Sequence, residues 1–263
     1  MSFASLAELK ALIAVEKKRT DLARKRKYAA LVRTYPRLRT KKNGNSGGFW
    51  DEKFTTDARR ADINYSERDR NMTAYRWLED LLSPGKRVLN VGCGDGKFES
   101  YFSMNALKGV AYEGIDFAAK SIKALNTTYP HFSFRVADVL TEKFTHLFDV
   151  ICIFEVLEHI SSEHVFAVLR KLAKSTQKGG YMMVAVPVNE PLVEMYPANP
   201  NEHVRWYAKD TICAELEIVG YDVVKVQEFF AFSKFYRLKK LLSRTLFKDR
   251  WKPNDLLILA KKR

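Results

Sequence analysis

The sequence predicts an α/β protein with a mostly parallel sheet that is covered by helices on both faces. Five short, apolar, β-branched runs recur along the chain, and helical stretches separate them. These connections are long enough to hold a helix, as parallel pairing of successive strands requires. The hydrophobic fraction is 46% in 263 residues, which is sufficient for a packed core of this kind.

Hydrophobic periodicity places the individual elements. Helices are expected at 5–34, 66–82, 96–106, 117–127, 162–174 and 207–218. Seven strands are expected at 87–91, 110–115, 132–136, 149–154, 181–186, 221–230 and 254–262. The glycine-rich run at 43–48 predicts a flexible joint. We therefore divide the chain into a basic helical N-terminal extension, 1–48, and a main domain, 49–263, with a basic amphipathic insertion at 233–248.

The net charge of +14 is concentrated at the two ends of the chain. Residues 1–45 carry +10 and residues 234–263 carry +9, so the middle of the chain carries −5. This asymmetry favours an anionic partner, such as a membrane surface, a phosphorylated carrier or nucleic acid. The alternative is a pair of solvated helices that keep the protein in solution. The 233–248 segment resembles an interfacial membrane helix, although a helix packed on its own domain has the same pattern and is the more common case.

Other features of the sequence restrict the cellular location. No apolar run approaches the roughly 20 residues of a membrane-spanning helix, and no secretory signal is recognised at the N-terminus. The three cysteines are far apart and lack metal-ligand spacing, so we expect reduced, buried thiols. These observations predict a cytoplasmic protein, with the basic ends available to the inner face of a membrane.

A glycine-rich turn follows the first predicted strand of the main domain, in VLNVGCGDGKF at 88–98. Gly92, Gly94 and Gly96 would let backbone N–H groups approach a ligand at the carboxyl end of that strand. No GK[ST] sequence follows, which disfavours a phosphate-binding P-loop. The spacing also differs from the G-x-G-x-x-G of dinucleotide-binding proteins. The turn therefore predicts a nucleotide-type pocket of another kind.

Two acidic residues lie at the ends of the next two predicted strands. Asp116, about twenty residues beyond the turn, is placed to accept hydrogen bonds from ribose hydroxyls. Asp138 could accept from the amino group of adenine, and Phe117 and Val139 offer apolar surface to the ring. A single acid of this kind is commonly a turn or capping residue, but acids at successive strand ends favour a nucleoside site.

The ordered series GxGxG, IDF, ADV, FDVICIFEVLEHI and KGGYMMVAVP resembles that of class I S-adenosylmethionine-dependent methyltransferases, over about 64–262. The resemblance implies a Rossmann-like, seven-stranded, mostly parallel sheet with helices on both faces. It implies S-adenosylmethionine as cofactor, with the glycines around its methionine part, Asp116 at the ribose and Asp138 at adenine. The full predicted cofactor set is Asn90, Gly92, Cys93, Gly94, Gly96, Asp116, Phe117, Asp138, Val139 and Phe154. Asn90 departs from the family's usual acid, so another acid such as Asp95 could hold the cofactor's ammonium group.

The segment after the fourth strand offers candidates for catalysis. Glu155, Glu158 and His159 provide three potential ligands within one turn, and the distant His203 could complete a metal site. The segment resembles both metal-dependent small-RNA 2′-O-methyltransferases and ubiquinone-pathway O-methyltransferases. The ligand types suit Mn²⁺, Fe²⁺ or Zn²⁺, and the resemblance also permits Mg²⁺. Alternatively, the glutamates line the pocket and His159 is a general base without a metal.

The sequence favours O-methylation of a sugar, a glycan or a similar small hydroxylated acceptor. The basic ends of the chain would allow this reaction at a membrane surface. The NPPY-type motif of enzymes that methylate base amino groups is absent. RNA 2′-O-methylation is the second hypothesis, although no separate RNA-binding signature is present. A non-catalytic subunit that uses the methyltransferase fold for binding is the third. The sequence does not predict the oligomeric state.

Overall fold

The seven predicted strands form one sheet. A computed structural model describes residues 45–57, 65–102, 107–189, 203–205, 207–230, 236–245 and 251–263. The strands are β1 (Arg87–Val91), β2 (Ala111–Asp116), β3 (Ser133–Val136), β4 (Phe148–Phe154), β5 (Thr176–Pro187), β6 (Tyr221–Phe229) and β7 (Asp255–Lys262).

The order of the strands across the sheet is β3-β2-β1-β4-β5-β7-β6. The first five strands in this order pair in parallel, and β7 runs antiparallel between β5 and β6. The chain reverses its direction of winding between β1 and β4, which is where open α/β sheets bind ligands. The predicted Rossmann-like, mostly parallel fold is confirmed.

Helices flank this sheet. The described helices are α1 (Gly47–Asp57), α2 (Tyr65–Glu79), α3 (Ala119–Thr128), α4 (Val165–Ser175), α5 (Lys209–Ile218) and α6 (Tyr236–Arg244). Successive side chains of β4 point to opposite faces, so Ile151 and Ile153 join one hydrophobic core while Val150 and Cys152 join another. Both faces are therefore buried, as the near-continuous apolar strands predict. In the described part of the chain, no helix combines the length and the apolarity needed to cross a bilayer.

Two sequence predictions about the helices are wrong. A helix is predicted at 96–106. Among the described residues of this range, the only helical element is a short 3-10 helix at Glu99–Tyr101. Gly96 adopts a left-handed conformation, with φ of 81°, which prevents a right-handed helix from starting there. Gly47 and Gly48, expected in a flexible joint, instead form the first turn of α1. The predicted helix at 5–34 lies outside the described residues, and the division at residue 48 stays a prediction.

A buried ion pair fixes the segment that leads into α5. The guanidinium of Arg205 and the carboxylate of Glu215 are in direct contact, and both side chains are fully buried. The hydroxyl of Tyr207 donates a 3.2 Å hydrogen bond to Glu215 Oε2. Burial raises the pKa of Glu215, while Arg205 and Tyr207 act to lower it. Two charges removed from water in this way are tolerated only as a pair.

Substitution of Glu215 tests the importance of this pair. Glu215→Gln keeps the size of the side chain but leaves the Arg205 charge buried without its counter-ion, so we expect a loss of about 3 kcal/mol or more in the free energy of unfolding. The matched control is Glu228→Gln, which breaks a solvent-exposed pair with Lys209 and should cost less than about 1 kcal/mol. Urea denaturation of both variants measures the difference. Equal losses would contradict the interpretation.

Candidate functional site

A cleft of about 540 Å³ opens at the carboxyl edge of the parallel strands. It extends across the ends of β3, β2, β1 and β4, because Asp138, Asp116, Asn90 and Phe154 all line it. Parallel strands bring their carboxyl ends to one edge, so residues far apart in sequence converge there. Every predicted cofactor residue except Gly96 lies in the lining of this cleft.

The glycine turn shapes the cleft but does not offer the predicted N–H groups. The amides of Gly92 and Cys93 both donate to the Ile115 carbonyl, and the amide of Gly94 donates to Asp116 Oδ2. The glycines are needed for their conformation and their lack of a side chain. Gly92 has φ of 73°, and a Cβ there would lie 2.2 Å from Val156 Cγ2. Gly96 packs against α3 instead of the cleft, since its Cβ would lie 2.3 Å from Leu125 Cδ2.

The two predicted nucleoside-binding acids differ in their environment. Asp116 is buried, and its two oxygens accept hydrogen bonds of 2.9 Å from the amides of Gly94 and Ala118. Burial raises its pKa, and these hydrogen bonds oppose that change. Asp138 is exposed at the cleft, where its Oδ1 accepts from the amide of Leu140. Asp116 is therefore a rigid, preorganised acceptor, whereas Asp138 keeps its carboxylate available to a ligand.

Helix α1, which sequence analysis did not predict, lines the cleft at the carboxyl ends of the strands. Its Trp50 ring packs edge-on against His159, with centroids 4.9 Å apart. Its Phe54 ring lies next to the glycine turn, 3.1 Å from where a Cβ on Gly94 would be. Asp51 accepts hydrogen bonds from the first amides of α3. The helix thus contacts both the turn and the segment after β4.

Three of the four predicted metal ligands converge in the cleft beside the part lined by the predicted cofactor residues. One ligand atom each from Glu158, His159 and His203 lies within 4.8 Å of the others. His159 Nε2 is 3.8 Å from Glu158 Oε1, and the two imidazole rings are 4.9 Å apart. Ligand atoms that share one transition-metal ion are about 3–4 Å apart, so this group fits a divalent ion after small adjustments.

His203 reaches the cluster through backbone hydrogen bonds. The carbonyl oxygen of Glu158 accepts from the amides of Val204 and Arg205, at 2.9 and 3.0 Å. The Arg205–Glu215 pair holds the same segment from the other side. His159 and His203 are 44 positions apart along the chain. Their imidazole rings nevertheless lie edge to face, with centroids 4.9 Å apart.

Glu155, the fourth predicted ligand, is not part of this group. Its Oε1 lies 2.8 Å from Arg70 Nη1, which also donates to Asp255 Oδ2 at 2.8 Å. Burial by itself would lower the pKa of Arg70, but the two carboxylates more than compensate and raise it. Glu155 also has a positive φ of 55°, an uncommon and strained conformation for a non-glycine residue. The structure thus assigns Glu155 to an ion-paired wall of the cleft.

Sequence reasoning missed Arg70 and Asp255, which both line the cleft. Arg70 lies on α2 and Asp255 begins β7, with 185 residues between them, and neither belongs to a recognisable local motif. Asp255 comes to the site because it pairs with Pro187 at the end of β5. Only knowledge of the sheet order could have placed it there.

Residues 65–226 match the family model described as a methyltransferase domain. The chain belongs to this methyltransferase family. Together with the fold and the cleft, the match shows a class I S-adenosylmethionine-dependent methyltransferase domain. The predicted cofactor class and enzyme class are confirmed at this level.

Similar proteins support the same assignment. The ubiquinone biosynthesis O-methyltransferase of Paracidovorax citrulli is 26% identical over 171 residues, which cover 57% of this chain and 70% of that protein. Protein 235L of Invertebrate iridescent virus 6 is 28% identical over 134 residues, and the match spans 50% of this chain and only 48% of the viral protein. The fold resembles the N-methyltransferase NodS from Bradyrhizobium japonicum WM9, with a TM-score of 0.57 and 17% identity over 81% of this chain and 98% of NodS.

Alanine substitutions at two glycines test the role of the turn in this methyltransferase. Gly92→Ala places a methyl group in the position occupied by Val156, and we expect S-adenosylhomocysteine to bind roughly tenfold or more weakly. Gly85→Ala is the control, because Gly85 also has positive φ (87°) but open space around its Cβ. Calorimetric titration compares the two. An equal loss of affinity would mean that backbone strain, and not the clash, is responsible.

Proposed function

We propose that this methyltransferase transfers a methyl group to a hydroxyl of a sugar, a glycan or a similar small hydroxylated acceptor, assisted by a divalent metal. The observation that carries the proposal is the Glu158–His159–His203 group beside the cofactor part of the cleft. A hydroxyl is a poor nucleophile at neutral pH, so an acceptor of this type requires activation. Several relatives are named ubiquinone biosynthesis O-methyltransferases, and these names also support transfer to oxygen.

The lining of the cleft suits a hydroxylated acceptor. The lining includes the aromatic ring of Trp50, which contacts His159, and also the amides of Asn71 and Asn254 and the carboxylate of Asp255. Aromatic faces pack on the apolar faces of sugar rings, while amides and carboxylates bond to hydroxyl groups. The single positive charge of Arg70 lies between two carboxylates, so this wall offers oxygen atoms that can accept hydrogen bonds from the hydroxyl groups of a ligand.

The chain's own residues account for positioning. Asp116 and Asp138 would hold the nucleoside, and Trp50 and the ion-paired wall would orient the acceptor for in-line displacement. Glu158, His159 and His203 would hold the ion. A metal bound there would lower the pKa of the acceptor hydroxyl. Because this group has two nitrogens and one carboxylate, Mn²⁺, Fe²⁺ or Zn²⁺ fits better than Mg²⁺.

Removal of one histidine tests the metal assignment. We expect His203→Ala to bind a divalent metal at least tenfold more weakly by calorimetry and to lose methyl transfer, with S-adenosylhomocysteine affinity unchanged. His146→Ala removes an exposed histidine outside the site and should retain both properties. Methyl transfer that survives exhaustive chelation but is lost in His159→Ala would instead assign His159 as a general base.

The acceptor class needs a direct assay. Labelled S-adenosylmethionine is incubated with the protein and with separated glycan, lipid-linked glycan and RNA fractions of a cell extract. We expect label in a glycan fraction, and its position on oxygen is established by hydrolysis and mass analysis. Label in RNA alone would favour 2′-O-methylation, and binding of the cofactor without transfer to any fraction would favour a non-catalytic subunit.

We further propose that helix α6 brings the enzyme to an anionic membrane surface. Tyr236 and Lys240 attach the helix to the domain through Asp69. The opposite side presents Leu238 and Leu241, which are 56% and 60% exposed. With the basic residues Arg237 and Lys239 on the same helix, this outward apolar face is suited to a surface of anionic lipids.

Vesicle binding tests this surface. The double variant Leu238→Ser/Leu241→Ser should bind vesicles containing phosphatidylglycerol roughly tenfold or more weakly, because two leucines no longer enter the interface. Val224→Ser is the control, since Val224 is 53% exposed but lies on β6. Flotation with anionic and neutral vesicles provides the measurement. Binding by the native protein that is equal on both vesicle types would contradict the electrostatic contribution.

A further inference from the structure

Three buried polar side chains form a cluster immediately behind the glycine turn. Asn90 on β1, Glu99 after the turn and Tyr112 on β2 are all almost completely excluded from solvent. Asn90 Nδ2 donates to Glu99 Oε1 at 2.8 Å, and the Tyr112 hydroxyl donates to the same oxygen at 2.6 Å. Burying a carboxylate that only two neutral donors compensate costs free energy. This cost points to a role for the carboxylate in the site.

The hydrogen bond to Glu99 determines how the Asn90 amide is oriented. Because the NH₂ group donates to the carboxylate, the oxygen Oδ1 is the free end of the amide. Within the described part of the chain, Oδ1 accepts no hydrogen bond, although it is buried. Asn90 lines the cleft. Buried polar atoms normally have a hydrogen-bond partner, so we expect a bound ligand to donate a hydrogen bond to this oxygen.

The order of strand ends indicates which part of the cofactor lies near Asn90. Asp138 and Asp116, placed for adenine and ribose, lie at the ends of β3 and β2, and the Glu158–His159–His203 group follows β4. Strand β1 lies between β2 and β4. In S-adenosylmethionine the sulfonium and its amino-acid chain follow the ribose, so the amino-acid end lies over β1. That end carries an ammonium group, which is both a cation and a hydrogen-bond donor.

We propose that Glu99 is a positioning residue that enables Asn90 to bind the ammonium group of the cofactor. Glu99 fixes the amide so that Oδ1 faces the cleft. Asn90 itself has no charge, and the Glu99 carboxylate, hydrogen-bonded to the other end of the amide, supplies the negative charge. The proposal depends on the cofactor class and is independent of the acceptor.

The alternative acid, Asp95, is less suited to this role. It lies in the turn, partly exposed to solvent, and its carboxylate accepts a hydrogen bond from the backbone of Lys97. Burial raises the pKa of Asp95, and the neighbouring Lys97 charge opposes that change and partly neutralises the field of the carboxylate. The Glu99 carboxylate is fully buried, and its Oε2 accepts no hydrogen bond from the described residues. Burial raises the pKa of the Glu99 carboxyl, while the hydrogen bonds from Tyr112 and Asn90 oppose that change. A carboxylate held by these two donors acts at short range with little screening.

Two ligands separate this role from a purely structural one. S-adenosylhomocysteine carries the ammonium group, whereas 5′-methylthioadenosine has the same nucleoside without the amino-acid part. For Glu99→Gln we expect S-adenosylhomocysteine to bind roughly tenfold or more weakly, with methylthioadenosine affinity unchanged within about twofold. Calorimetric titration measures both. A matched loss for the two ligands, or no loss for either, would overturn the proposal.

Moving the charge provides the second test. The double variant Asn90→Asp/Glu99→Gln keeps one carboxylate in the cluster but places it at the cleft, and S-adenosylhomocysteine affinity should return to within about threefold of the native value. Asp95→Asn is the control and should change that affinity by less than about threefold. If Glu99→Gln does not fold, the double variant is compared with the native protein directly. A double variant that binds more than tenfold more weakly, or an Asp95→Asn that alone loses tenfold, contradicts the assignment.

Discussion

The close contact between Gly92 and Val156 holds the two halves of the site together. Gly92 begins the glycine turn after β1, and Val156 lies in the segment after β4 that also carries Glu158 and His159. Since β1 and β4 are neighbours in the sheet, the two loops emerge side by side, and only the absence of a Cβ lets them pack so tightly. Backbone packing therefore sets the glycine turn and the Glu158–His159 segment at a fixed separation.

Buried charges complete this framework. Arg70 links α2, the segment after β4 and the start of β7 through Glu155 and Asp255. Each charge would be costly in isolation, but together they specify one arrangement of three chain segments. The strained backbone at Glu155 is consistent with this, because the ion pair and the hydrogen bond from its amide to Ala185 both constrain the residue. The wall of the cleft is thus more rigid than a loop of its length would be alone.

The strands and the location of Asp116 and Asp138 in the cleft were predictable because their signals are local. Apolar runs define the strands, and each of the two acids lies at or just beyond the end of one. Predictions failed where the outcome depends on contacts across the fold. Gly96 resembles a cofactor-binding glycine in sequence, yet it serves packing against Leu125. Glu155 has the spacing of a ligand, yet it pairs with Arg70, whose position no sequence pattern near either residue indicates. Glu99 lies only nine residues from Asn90, but the hydrogen bond between them requires the tight turn.

The antiparallel strand β7 has a consequence for the order in which the protein matures. It lies between β5 and β6, and it supplies Asp255 to an arginine that was synthesised 185 residues earlier. Chains emerge at a finite rate, and long-range pairings form late in folding. A nascent chain that lacks β7 can already possess the glycine turn, but its sheet has a gap beside β5 and Arg70 lacks one of its two partners. The wall formed by Arg70, Glu155 and Asp255 is therefore complete only after β7 has paired with β5.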